Sequence, residues 1–249
     1  TQRMSLENQL RMPDMELTSN LLPQAHAAHQ IDSQWIRYRH DAPLSPSQFI
    51  TALSIRLNVL PPHLNLCGTR CRCGTLFTST SQQISHSLLC DKACSISKTL
   101  RHNRVRDAVA ATTRAFGIAT TVEPTIYAYD DLVAHRPDLL FNVGTTGYAT
   151  DFTIVEPDPT PGKAAAAADK TKVKAHMKAV SAKGHTFIPG AMETYGLIGP
   201  GLTNLVQSLS KFVLPQESIE FIQDMFSAIA IAAAAGRADV LLATASSRF

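Results

Sequence analysis

Five cysteines fall between residues 67 and 94 of this chain, and none lies elsewhere. Two short runs, "CRC" ending at residue 73 and "HSLLC" ending at residue 90, supply Cys71, Cys73, His86 and Cys90. Three thiols and one imidazole at this spacing suit a tetrahedral metal site, and zinc favours such N and S ligands. His86 and Cys90 are four residues apart, so one helical turn puts both on one face. Gly74, after the second cysteine, suits a tight knuckle. Four protein ligands close the coordination sphere, so the expected Zn2+ is structural. Cys67 and Cys94 are spare candidates, Cys67 as a replacement for Cys71. Free or disulfide-paired cysteines are the competing reading. Residues 66–98 are short of large apolar side chains and need a staple of this kind.

Carboxylates make the second constellation. Glu123, Asp138 and Asp151 each fall on or beside a strand-like run. In a twisted three-stranded sheet their heads could converge at one end; otherwise they decorate the outside of a hairpin. Converging carboxylates raise one another's pKa unless a cation neutralises them. Mg2+ is the usual partner, and with it such a site activates water and stabilises the leaving oxygen of a phosphodiester. The run "DKTKVKAHMK" follows, with Lys170, Lys172, Lys174 and Lys178 around His176. A lysine aimed at the acids would orient water or neutralise phosphorane-like charge; a solvated basic face is the plainer alternative. "YAYDD", residues 127–131, has the wrong spacing for the Tyr-x-Asp-Asp hairpin of reverse transcriptases, and Asp130-Asp131 reads as a loop.

The elements that must position these groups follow from pattern and punctuation. Residues 1–45 are polar without clean periodicity and read as an arm or linker. Residues 46–60 carry apolar side chains at helical spacing, with Ser45 as N-cap before Pro46, or Ser47 as a later cap. Pro61-Pro62 stops that helix. A helix is expected over 101–116, then strands over 119–127, 138–143 and 148–155. The turn "GTTG" makes a hairpin of the last two strands. A Lys/Ala helix over 164–183 enters after Pro161-Gly162, a short strand covers 185–190, and two helices lie near 201–213 and 217–235. The order from residue 101 is α-β-β-β-α-β-α-α, an α/β fold.

Bulk composition narrows the class. The 249 residues are 45% hydrophobic and 17% charged, enough to bury a core. Net charge is +3 and the isoelectric point about 8.6, mildly basic and compatible with nucleic acid. No secretory or transit signal is visible in residues 1–30. A start at Thr1 is consistent with a processed product, a piece of a polyprotein or an incomplete start. The apolar run at 226–245 is alanine-rich and broken by Arg237 and Asp239, so a buried or partner-facing helix is expected and no membrane span.

Several motifs occur in one order: "LSPSQFITALSIRLNVLPP", "CRCG", "HSLLC", "RHNRVRDAV", "VEP", "RPDLL", "TDFTIV" and "FIPGAMETYG". Together they resemble the C-terminal region of site-specific non-LTR retrotransposon polyproteins. That region carries a Cys-Cys-His-Cys knuckle followed by a PD-(D/E)XK restriction-like endonuclease. The resemblance covers about residues 44–205. It implies a restriction-endonuclease-like core (α-β-β-β-α-β), with a small zinc knuckle before it and C-terminal helices after it. The corresponding units are residues 1–45, 46–98, 99–215 and 216–249.

The resemblance also implies roles. Asp138 is the aspartate of the Pro-Asp motif, Asp151 the second metal ligand, and Glu123 the acid on the preceding strand. The superfamily's common lysine, two residues after the second acid, is replaced here by Thr153. The retrotransposon subgroup uses a Lys-x-x-Lys-Tyr pattern on the next helix, which falls on Lys172, Ala175 and His176. The first lysine survives; the second lysine and the tyrosine do not, with Lys174 as a substitute about a hundred degrees round from Ala175. Arg101, His102, Asn103, Arg104 and Arg106 match the segment at the start of the nuclease helix. With Arg70 and Arg72 of the knuckle they are the expected nucleic-acid contacts, at a helix N-terminus that favours phosphate.

Two functions are therefore expected in parallel. One is a Mg2+-dependent DNA endonuclease module derived from a retrotransposon, with the nucleus as its compartment. The other is a domesticated, non-cutting descendant: an RNA-binding or structural subunit among the proteins of a large ribonucleoprotein such as a mitochondrial ribosome. The decayed lysine pattern and the alanine-rich C-terminus favour the second.

Overall fold

A computed structural model describes residues 44–126 and 136–246, the side chains of residues 93–97 excepted. The expected arm up to residue 43, the Asp130-Asp131 loop and the Cys94 side chain lie outside the described residues. Within them the chain is mixed α/β, with six α-helices and a mixed sheet.

Helix α1, Pro46–Leu57, begins with a full capping box: the Ser45 hydroxyl accepts from the Gln48 amide, and the Gln48 side chain accepts from the Ser45 amide. Pro46 fills its first turn. Helix α2, Thr80–Leu89, is capped by Ser79, and Cys90 joins it to α3, Asp91–Ala115. The helix expected from residue 101 thus starts ten residues earlier. No Gly or Pro interrupts residues 91–100, so nothing stops the helix from propagating back to Cys90. Arg101 is consequently mid-helix, and no helix N-terminus stands at Arg101–Arg106 to attract phosphate. The helix start expected at residue 101 lies instead at Asp91.

Strands β1 (Ala119–Val122), β2 (Leu139–Val143) and β3 (Thr146–Thr150) form an antiparallel meander. The hairpin expected at "GTTG" forms with Val143 opposite Thr146 and Gly144 at φ 58°. β1 is shorter than expected because Glu123 adopts φ 47°, left-handed for a non-glycine residue. The third strand is interrupted at Asp151 and resumes as β4, Phe152–Val155. Helix α4, Lys163–Ser181, follows Gly162 at φ 75° and carries the chain to β5, Thr186–Phe187, which pairs parallel with β3. β6, Gly190–Glu193, pairs parallel with β4. The four-stranded order is β1-β2-β3-β5.

Alternation along β2 separates two apolar layers. Leu139, Phe141 and Val143 share a core with Val105 and Val109 of α3, with Leu202 and Leu205 of α5 (Pro200–Leu209), and with Phe221, Met225 and Ile229 of α6 (Ser218–Ser246). Leu140 faces the other way and packs with Ala149, Phe187 and Val180 of α4.

By length and composition, the segment Pro215–Ser246 could cross a membrane, but 72% of its apolar window is buried inside the chain. It is a core helix. Two of its charges are tertiary ties: Asp239 accepts from Gln48 of α1 at 2.8 Å and pairs with Arg104 of α3 at 2.6 Å. Arg237 is buried and donates to the Thr194 carbonyl.

Candidate active site and metal centre

The β3–β4 junction and β2 bring Asp138 and Asp151 together. Asp138 stands just before β2, and its Oδ2 accepts the Phe152 amide at 2.6 Å across the sheet. Its Oδ1 lies 3.0 Å from His102 Nε2; a carboxylate only accepts, so the imidazole donates. Asp151 lies in the gap between β3 and β4 and is paired by Lys172 of α4. His176, one turn further along α4, approaches the same oxygen at 3.6 Å and stacks on Phe187 with ring centroids 5.1 Å apart. α4 therefore presents Lys172 and His176 to the acids at i, i+4 spacing.

The two carboxyls are held at different affinities for the proton. Burial acts to raise Asp138, but His102, the Phe152 amide and the Lys172 charge outweigh it and hold the group below the ordinary carboxylate range. Burial raises Asp151, the Asp138 charge raises it further, and Lys172 and His176 offset this only in part. Adjacent like charges of this kind call for a cation, and the Lys172 ammonium supplies one.

The remaining expected residues are distributed more widely. Glu123 is turned to Arg106 and Arg136. Lys174 is exposed on α4, away from the contact that Lys172 makes. Arg101 is buried at 4% exposure, so it offers no surface contact to nucleic acid. Arg104 is tied to Asp239, and Arg106 to Asp107 and Glu123. Asn103 is half-buried. Arg70 and Arg72 are exposed, Arg70 donating to the Gly74 carbonyl. The dense basic patch expected from sequence is thus largely drawn into the helix packing. His102, expected as a phosphate contact, meets Asp138, and Arg136, which had no expected role, meets Glu123. The four-residue spacing of His102 and Arg106 is the signal that puts both on one face of α3.

The Cys71, Cys73, His86 and Cys90 ligand atoms all lie within 4.8 Å of one another, so this cluster could hold a metal ion such as zinc. Cys71 Sγ and Cys90 Sγ are 3.8 Å apart, and Cys73 Sγ and His86 Nε2 are 3.2 Å apart. Sulfurs about 2.3 Å from a tetrahedral zinc stand about 3.8 Å from each other. The knuckle turns on Gly74 at φ 98°, whose amide donates to the Cys71 carbonyl at 2.8 Å. Phe77 is fully buried beneath it and meets the His86 ring edge-on at 5.6 Å. Burial raises the Cys71 thiol to about 11, while the Thr75 hydroxyl lowers Cys73 to about 6 and favours its thiolate. Cys67 is exposed and outside the cluster.

No protein-family model matches this chain, and no curated protein matches it significantly in sequence.

Two buried acids were not singled out from sequence. Asp169 accepts the Ala191 and Gly201 amides at 3.0 and 2.8 Å, fixing the start of α5 against β6. Glu193 is buried, and burial raises its carboxyl above the ordinary range. Asp169 anchors two backbone ends, as its burial without a basic partner requires.

Proposed function

We propose that this chain is a metal-dependent phosphodiesterase module acting on nucleic acid, related to the endonuclease region of site-specific non-LTR retrotransposons. The contact of Lys172 with Asp151, beside Asp138, carries the reading. It joins the two acids of the Pro-Asp…Asp pattern to the one lysine of the subgroup pattern that the sequence retains. The order α3-β1-β2-β3/β4-α4-β5/β6 supports a restriction-endonuclease-like core, and the thiol–imidazole cluster before it supports a structural zinc knuckle.

The residues fit a hard divalent cation. Asp138 and Asp151 are near enough to feel each other's charge, and burial together with the Asp138 charge keeps Asp151 raised despite Lys172. Asp138 and Asp151 would hold Mg2+, which supplies Lewis-acid polarisation of a phosphoryl oxygen and a more acidic water. The chain's own groups do the positioning. His102 and the Phe152 amide fix both oxygens of Asp138. The Lys172 ammonium, anchored on Asp151, stands ready to orient the attacking water and to neutralise charge on the phosphorus centre. His176, packed on Phe187, keeps that end of α4 against the strand.

The non-cutting alternative has one observation in its favour: at the second lysine position of the pattern stands Ala175, exposed and without a charge. Relaxation of supercoiled plasmid separates the two. The purified chain should nick in Mg2+ or Mn2+, and Asp138→Ala should stop it. Steeply salt-dependent binding to RNA or DNA with no nicking by the wild type would favour the alternative.

A further inference from the structure

Glu123 stands apart from the acid pair. Its Oε1 accepts from Arg106 Nη1 at 2.7 Å, and its Oε2 accepts from Arg136 Nη2. Two guanidinium groups thus converge on one oxyanion, and guanidinium donors that bond a carboxylate also bond a phosphate. Arg106 also donates through Nε to Asp107 at 2.8 Å, so two arginines and two carboxylates leave this group electroneutral. Glu123 and Arg136 are 42% and 41% exposed and Arg106 11%, so the group opens to solvent on the Glu123 and Arg136 side.

The group is tied to the active site by backbone. The Glu123 amide donates to the Asp138 carbonyl at 2.8 Å, and Arg136 precedes Asp138 by two residues. On α3, His102 meets Asp138 and Arg106 meets Glu123 one turn later. A left-handed backbone at residue 123 ends β1 and carries the carboxylate out to the arginines.

We propose that Arg106 and Arg136 form a binding site for a nucleic-acid backbone phosphate, and that the Glu123 carboxylate occupies it until a strand displaces it. The site takes a phosphodiester next to the one at Asp138 and Asp151, so Glu123 acts as an internal competitor and not as a metal ligand. This rests on the reading of the chain as a nucleic-acid-binding module.

The test is binding of the full chain to a fluorescent DNA duplex of about 30 base pairs without added divalent metal, across a salt series. Glu123→Gln should tighten binding about fivefold and steepen the salt dependence by about one charge. Glu123→Gly suits the left-handed backbone and should tighten binding likewise. Adding Arg136→Ala to Glu123→Gln should cancel the gain. Wild type that binds while both Glu123 variants bind equally or more weakly overturns this inference alone. Failure of wild type and both variants to bind at low salt overturns the nucleic-acid reading with it.

Discussion

Lys172 and Lys174 are two residues apart on α4, and only Lys172 meets an acid. Lys172→Ala should cut nicking by about 100-fold or more, because a charge aimed at the reacting centre is lost. Lys174→Ala should leave the rate within about twofold, since that side chain is in water. Initial rates of plasmid relaxation check both. Asp138 has a folded pKa below the ordinary value, so it contributes stability above about pH 4 that is lost as pH falls through its folded pKa. Asp151 has the opposite sign: its cost develops as pH rises from about 3.9 through its raised folded value. Asp151→Asn should therefore raise the melting temperature by about 2 °C at pH 7, an advantage that vanishes below pH ~4. Calorimetry at the two pH values measures this, and a lower melting temperature at pH 7 would contradict it. The acid pair and Lys172 were legible through motif order. The contact of His102 with Asp138 was not, because a basic residue within a run of arginines reads as a phosphate contact until its partner is known, and the pairing of Arg136 with Glu123 becomes visible only once β1 and β2 lie together.

At the scale of elements, the close approach of α3 and α6 depends on Gly236. A Cβ there would lie 2.6 Å from Arg101 Cγ and 3.0 Å from Arg101 Cα. Helix propensity alone favours alanine by about 1 kcal/mol. The clash should win, making Gly236→Ala destabilising by about 1–3 kcal/mol in urea unfolding. The knuckle offers a second element-scale test. Metal analysis should find about one zinc per chain, and Cys90→Ser should abolish it. Because Ile84 and Leu88 of α2 pack on Val240 and Leu241 of α6, the loss should also speed amide exchange at the C-terminal end of α6. Amides of β2 and β3, in the other core, should keep their protection. Local punctuation made many boundaries readable: Ser45 and Pro46 start α1, Gly144 makes the hairpin, and Gly162 precedes α4. The break at Asp151 and the early start of α3 were not readable, because no Gly or Pro marks them, and the full length of α6 was hidden by Gly236, which follows residue 235 like a helix stop but serves the packing against Arg101.

For the whole molecule, α6 is the member on which the other parts meet. It shares one core with α3, α5 and the sheet, and a second with α1, α2 and the segment after β6. Alanine keeps its surface narrow, so helices from both sides approach closely. Its apolar composition, which by itself resembles a membrane span, is the consequence of being packed on many sides. This arrangement places the thiol–imidazole cluster and the acid pair on one framework, the cluster at the start of α3, where Cys90 precedes it, and the acids beside its middle, at His102. The most direct test of the account is the binding of Mn2+, read by electron paramagnetic resonance, to the zinc-loaded chain. The account predicts a Mn2+ site in the wild type that disappears in Asp151→Asn and tightens in Lys172→Ala, where the competing ammonium is gone. Equal Mn2+ binding by all three proteins would contradict it.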